Sequence, residues 1–160
     1  MKLHIILGVF FFTSHINASG ILEEAKKLDI SPECTSQLNM LVDYLKPNGL
    51  DLSYLNPNSG KRKISHFFNL TKYVDGAGAI NISLIDKGDK GCRWTYTKTI
   101  VFNDKTCKQI VKESKKLSNS VRTMIETEDY TALYNSDTAT YLLFSKLGQN
   151  SCMVLETSSR

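Results

Sequence analysis

Histidine is scarce in this sequence, and its scarcity excludes more chemistry than any motif supplies. Only three histidines occur in 160 residues, and His4 and His15 fall within the first twenty. If that segment is removed, His66 stands alone, and a His-pair zinc site within one chain is excluded. The H-E-x-x-H pattern, the P-loop, the G-x-G-x-x-G turn, the G-x-S-x-G elbow and the EF-hand loop are all absent. The sequence holds no internal repeat and no low-complexity tract. Beyond the opening segment it has no run of about twenty apolar residues that could span a membrane. Neither sign of charge dominates: 20 Lys and Arg against 16 Asp and Glu give a formal +4. That balance argues for solubility and against nucleic acid as a partner. Neither a cofactor nor a metal is expected.

The opening segment has the layout of a secretory signal peptide. Lys2 supplies a positive start, residues 5–12 an apolar core, and Asn17-Ala18-Ser19-Gly20 small residues for a peptidase. Cleavage near Ala18 to Gly20 leaves residues 21–160 as a single domain of about 140 residues. Such a chain can bury roughly two-thirds of its unfolded surface. Losing Lys2 lowers the formal charge from +4 to +3. The expected location is secreted or periplasmic, where all four cysteines can pair. No cysteine directly follows the leader, so a lipid anchor is not expected. N-x-S/T sequons occur at Asn17, Asn69 and Asn81.

Ile21, Leu22, Ala25 and Leu28 lie at helical spacing and predict a short first helix. Ser31-Pro32-Glu33 then supplies an N-cap, a proline at the first helical position and an acid in the first turn. Cys34, Leu38, Leu41, Val42 and Leu45 follow as one apolar stripe, and Lys46-Pro47-Asn48-Gly49 ends that second helix. Residues 50–63, rich in Asn, Pro, Gly and Ser, read as an exposed loop. The next segment fits a helix through Ile64, Phe67, Phe68 and Thr71, or a strand through Ile64, His66, Phe68 and Leu70. From Ala79 the period is two. Ile80, Ile82 and Leu84 share a face, Lys87-Gly88-Asp89-Lys90-Gly91 is a hairpin turn, and the returning strand aligns Cys92, Trp94, Tyr96, Ile100 and Phe102. Arg93, Thr95, Thr97 and Thr99 occupy its wet side. Thr106 and Gln109 form a capping box ahead of a helix with Cys107, Ile110, Val111, Ser114 and Leu117 on one stripe. Three strands are expected after it, near 121–127 or 129–134, 138–147 and 152–157. The fold class is α+β: N-terminal helices followed by ββαβββ, an antiparallel sheet with helices packed on one face and two disulfides.

Four cysteines allow three pairings. An unbroken strand over 92–102 carries the chain about 33 Å. The five residues from Phe102 to Cys107 return at most about 17 Å, which weighs against Cys92–Cys107. Cys34–Cys107 with Cys92–Cys152 is the favoured pattern, and Cys34–Cys92 with Cys107–Cys152 is the alternative. A four-cysteine zinc site lacks any C-x₂-C knuckle.

His66 is the one candidate catalytic residue, for a small hydrolase using a serine or an acid such as Glu126. Neighbouring Ser65 would point to the opposite face of a strand. Glu126, Glu128 and Asp129 could hold a cation loosely or pair for acid/base work, though acids on a strand edge more commonly form a solvated face. Lys61, Arg62 and Lys63 are the candidate binding residues. Trp94 and Tyr96 could line a pocket, but their shared face with Ile100 and Phe102 reads as core.

Gly91-Cys92-Arg93-Trp94-Thr95-Tyr96, Cys107 opening a helix, and Asn150-Ser151-Cys152-Met153-Val154-Leu155-Glu156 together resemble small exported proteins of gammaproteobacteria. Those carry a Gly-Cys strand with an aromatic motif, a Cys-started helix and a terminal Cys-containing strand. The resemblance covers roughly residues 79 to 157, and this chain departs from it in having Asn-Ser before the last cysteine. It implies export and carries over no functional residue. The sequence reading is therefore an exported, disulfide-bonded binding or interaction domain. Its partner would be a protein or cell-surface component, engaged through the 50–63 loop or a polar sheet face. The rivals are a His66 hydrolase and a secreted inhibitor of a partner enzyme.

Overall fold

The computed structural model describes residues 19–46, 49–56, 63–73, 76–117 and 119–160. The expected leader up to Ala18, the sequon at Asn17, and the pair Lys61 and Arg62 lie outside the described residues. The chain begins with two helices, α1 (Ser19–Lys27) and α2 (Pro32–Leu45). Four strands follow, β1 (Gly49–Asn56), β2 (Lys63–Tyr73), β3 (Gly76–Asp86) and β4 (Cys92–Phe102). Then come helix α3 (Cys107–Leu117) and the strands β5 (Val121–Glu126), β6 (Tyr130–Asn135), β7 (Thr140–Lys146) and β8 (Cys152–Ser159). All eight strands form one antiparallel sheet in the order β1-β2-β3-β4-β8-β7-β6-β5.

Local sequence accounts for the helix ends. Ser31 Oγ accepts from the Cys34 N–H at 3.3 Å, with Pro32 at the first helical position. Lys46 ends α2 in the left-handed region, its N–H donating to the Val42 carbonyl at 2.9 Å. At α3 the capping box is reciprocal. Thr106 N–H donates to Gln109 Oε1 at 2.9 Å, and Gln109 N–H donates to Thr106 Oγ1 at 3.3 Å.

The predicted order ββαβββ is corrected to ββββαββββ after the two helices. The exposed loop expected at 50–63 is largely strand: Gly49–Asn56 is β1, and Lys63 already belongs to β2. Composition misled here, because the Asn, Pro, Gly and Ser of the sequence at 56–60 outweigh the strand signal of residues whose pairing partner lies in β2. β2 is a strand, but its buried side chains are Ser65, Phe67, Asn69 and Thr71 rather than either predicted set. Both segments offered as alternatives, 121–127 and 129–134, become strands. They are β5 and β6, joined by a turn in which Thr127 N–H donates to the Tyr130 carbonyl at 2.8 Å.

The expected single layer of helices over the sheet is replaced by two separate cores. In the first, Ile21 and Ala25 of α1 and the α2 stripe pack on Phe67, Ile80, Ile82, Leu84, Trp94 and Tyr96. In the second, Ile110 and Val111 of α3 pack on Leu133, Phe144, Cys152 and Val154. Each core is stapled by its own disulfide, Cys34–Cys92 in the first and Cys107–Cys152 in the second. The favoured Cys34–Cys107 and Cys92–Cys152 pairing is thus corrected to the alternative. The strand-length argument explains why: β8 runs antiparallel to β4 with Cys152 opposite Phe102, so the full length of β4 separates Cys152 from Cys92. No helix among the described residues is long and apolar enough to cross a membrane.

Candidate functional site

A groove opens beside the first core, between α2, β4, the β6–β7 turn and the end of β8. On α2, Gln37, Leu41 and Tyr44 recur at i, i+4 and i+7, with Met40 beside them, and form a second stripe next to the core stripe. This stripe leans over β4, where Trp94 and Tyr96 lie with ring centroids 6.0 Å apart and planes 20° from parallel. The far wall is the β6–β7 turn, which brings Asp137, Thr138 and Thr140 alongside Ser158 of β8 and Arg160. That turn is held in an unusual conformation. Ala139 sits at φ 51°, a region that costs a non-glycine residue about 1 kcal/mol or more. Its carbonyl accepts from Ser158 Oγ at 3.1 Å, and Asp137 N–H donates to Asn135 Oδ1 at 3.0 Å.

The polar atoms of the aromatic floor are satisfied from within. Glu156 Oε1 accepts from Tyr44 Oη at 2.8 Å and from Tyr96 Oη at 2.7 Å, and Trp94 Nε1–H donates to Gln37 Oε1 at 3.1 Å. Burial, then the neighbouring Glu156 carboxylate, pushes the phenols of Tyr44 and Tyr96 above their ordinary range. With these bonds made internally, the floor offers a ligand mainly apolar and aromatic surface. The cavity measures about 250 Å³. Met40 and Tyr44 stand 43% and 54% exposed at its mouth, while Trp94 and Tyr96 are buried at its base.

The sequence-predicted candidates fall elsewhere. His66 lies half-buried on the helix-free face of β2, its Nδ1 3.0 Å from Ser83 Oγ on β3. Ser65 faces the helices instead, so the adjacent serine and histidine point apart. Glu126 is on β5, six strands away across the sheet, about 29 Å at ~4.8 Å per strand, and does not meet His66. Glu126, Glu128 and Asp129 line a groove of about 550 Å³ beside the start of α3. Among the described residues no cluster of three His, Cys, Asp or Glu side chains is placed to hold a metal ion. Lys63 ties the α1–α2 turn to β2, its Nζ 2.9 Å from Asp29 Oδ2 and 2.7 Å from the Asp29 carbonyl.

Trp94 and Tyr96 therefore belong to the core and also line the groove. The sequence reading missed Met40, Tyr44, Asp137 and Glu156. The Met40–Tyr44 pair at i, i+4 beside the core stripe was a readable signal, because it widens the apolar arc of α2 beyond what one sheet contact needs. Asp137 and Glu156 carried no local signal, since only sheet pairing brings Asp137 to the groove and Glu156 to the hydroxyls of Tyr44 and Tyr96. The chain matches no family model, no curated protein and no solved structure.

Proposed function

We propose that this protein is an exported, non-enzymatic interaction domain that receives an apolar anchor side chain of a partner protein in the Trp94–Tyr96 groove. One observation carries the reading: a groove with an aromatic floor, internally satisfied polar atoms, and the exposed Met40 and Tyr44 at its rim. Buried aromatic pockets ringed by partly exposed side chains are where binding energy concentrates at protein interfaces. Methionine at the rim adds an adaptable, polarisable contact. Size favours a side chain over a free cofactor or drug-sized ligand, whose pockets run from about 300 Å³ upward. Export is supported by the leader pattern and by the two disulfides.

Trp94 is the only tryptophan in the chain, so its fluorescence reports directly on the floor. Peptides bearing a Leu, Phe or Trp anchor are expected to shift or quench Trp94 emission, while their Ala counterparts leave it unchanged. Met40→Glu is expected to weaken the effect at least tenfold, and Tyr141→Glu on the opposite sheet face to leave it intact. Emission insensitive to every anchored peptide, or equally reduced by both substitutions, would overturn the reading.

A further inference from the structure

The helix-coating charge of α3 forms a second surface, separate from the aromatic groove. Lys108, Lys112, Lys115 and Lys116 are all exposed. At 100° per residue they fall within an arc of about 100° and run about 12 Å along the helix axis. Ile110, on the far side of α3, and Val111, at the edge of the lysine arc, pack into the second core, so packing fixes which way the lysines face. All four line one groove of about 460 Å³ between α3 and the β5–β6 edge, together with Val111, Thr131 and a single acid, Glu126. Lys105 lies in the turn before α3, with its Nζ 5.9 Å from the Phe102 ring centroid. Those five lysines exceed the formal +4 of the whole sequence, so the remainder of the chain is close to neutral.

Helix stability accounts for only part of this pattern. Lys115 and Lys116 in the last turn complement the helix dipole. Lys108 in the first turn opposes it, and that turn has no acidic residue. Lys108–Lys112 and Lys112–Lys116 are like-charge pairs at i, i+4, a spacing that destabilises a helix. A solvated face would normally intersperse the two signs. The row is better matched to an anion outside the chain.

We propose that the lysine groove along α3 binds a linear sulfated polysaccharide. A narrow row of point charges suits anions spaced along a polymer, whereas bidentate phosphate recognition favours arginine. The groove lining contains no aromatic side chain on which a nucleic-acid base could stack. The other described side chains exposed on α3 are Gln109 and Glu113, so no apolar wedge is present to enter a bilayer. Two disulfides suit the extracellular setting where such polymers occur.

The test uses the full mature chain and size-defined heparin oligosaccharides in 0.15 M NaCl. Lys108→Gln, Lys112→Gln and Lys115→Gln combined are expected to weaken binding at least tenfold. They should also flatten the slope of log affinity against log salt by about two. Lys26→Gln, Lys72→Gln and Lys90→Gln combined remove the same net charge from exposed sites elsewhere, and are expected to change affinity less than twofold. Desulfated heparin is expected to bind at least tenfold more weakly than the native polymer. Circular dichroism checks that both triple variants keep the parent fold. Absence of heparin binding, or equal losses in the two triple variants, overturns the proposal. So does tighter binding at the same salt to a single-stranded oligonucleotide or to phosphatidylserine-containing vesicles.

Discussion

Asp86, at the end of β3, is a buried carboxylate that joins three pieces of backbone. Its Oδ2 accepts from the Ser31 N–H at 2.6 Å and its Oδ1 from the Gly88 N–H at 2.9 Å, locking the α2 cap to the β3–β4 turn. Burial alone would raise its pKa, but these two N–H donors and nearby Lys63 outweigh it and hold the carboxyl below its ordinary value. A depressed pKa stabilises the fold above the unfolded-state value of about 3.9, and the gain is lost as pH falls through the folded value. Asp86→Asn is therefore expected to cost about 2 kcal/mol at pH 7. In urea titrations the gap from the parent protein should close as the pH is lowered below about 4. The signs reverse for Tyr44 and Tyr96, whose raised pKa values favour the fold below about pH 10 and lose that effect as the pH climbs further. An ultraviolet titration should show a late tyrosinate fraction that Tyr96→Phe reduces, leaving the Tyr44 contribution. Ser65 is the opposite kind of residue, fully buried with an Oγ that has no hydrogen-bond partner among the described residues. Ser65→Ala is expected to stabilise the protein by about 1 kcal/mol, read as a higher urea midpoint at unchanged slope.

Among the elements, those with a local signature were legible and those defined by their neighbours were not. Both α2 and α3 announce themselves through caps and an apolar stripe. β3 and β4 do so through strict alternation and a glycine-bounded turn. β2 conceals its role because three of its four inward side chains are polar. Phe67 supplies the apolar contact, Thr71 Oγ1 donates to Asn69 Oδ1, and burial of that pair is decided by the helices above. The sequon at Asn69 is consequently unavailable in the folded chain, at 1% exposure, whereas Asn81 on the other face of β3 is exposed. β1 was hidden for a different reason, since its evidence is a register against β2. Gly76 shows how closely these strands approach. A Cβ there would lie 1.9 Å from the Val101 carbonyl oxygen. Gly76→Ala is expected to force β3 off β4 at that end and cost about 2 kcal/mol, with amide exchange accelerating first near Val101 and Phe102.

For the whole molecule, the division into two cores sets what each disulfide does. The bridges close loops of 58 and 45 residues, so chain entropy gives each about 4 kcal/mol. Replacing Cys34 and Cys92 by Ala should loosen α2 and the aromatic groove, seen as a red-shifted Trp94 emission. Replacing Cys107 and Cys152 should leave that emission near the parent value while still lowering the urea midpoint. Equal shifts from both pairs would mean that the cores do not respond separately. The sequence by itself determined the helix caps, the β3–β4 hairpin, the amphipathic stripes, and the separation of Cys92 from Cys107 along β4. These depend on residue spacing and hydrogen bonds within a few positions. Only the tertiary structure decided the disulfide partners, the inward face of β2, the meeting of Tyr44, Tyr96 and Glu156, and the groove floored by Trp94 and Tyr96. Each of those joins residues 45 to 112 positions apart or is chosen by what packs above a strand, and no local pattern encodes it.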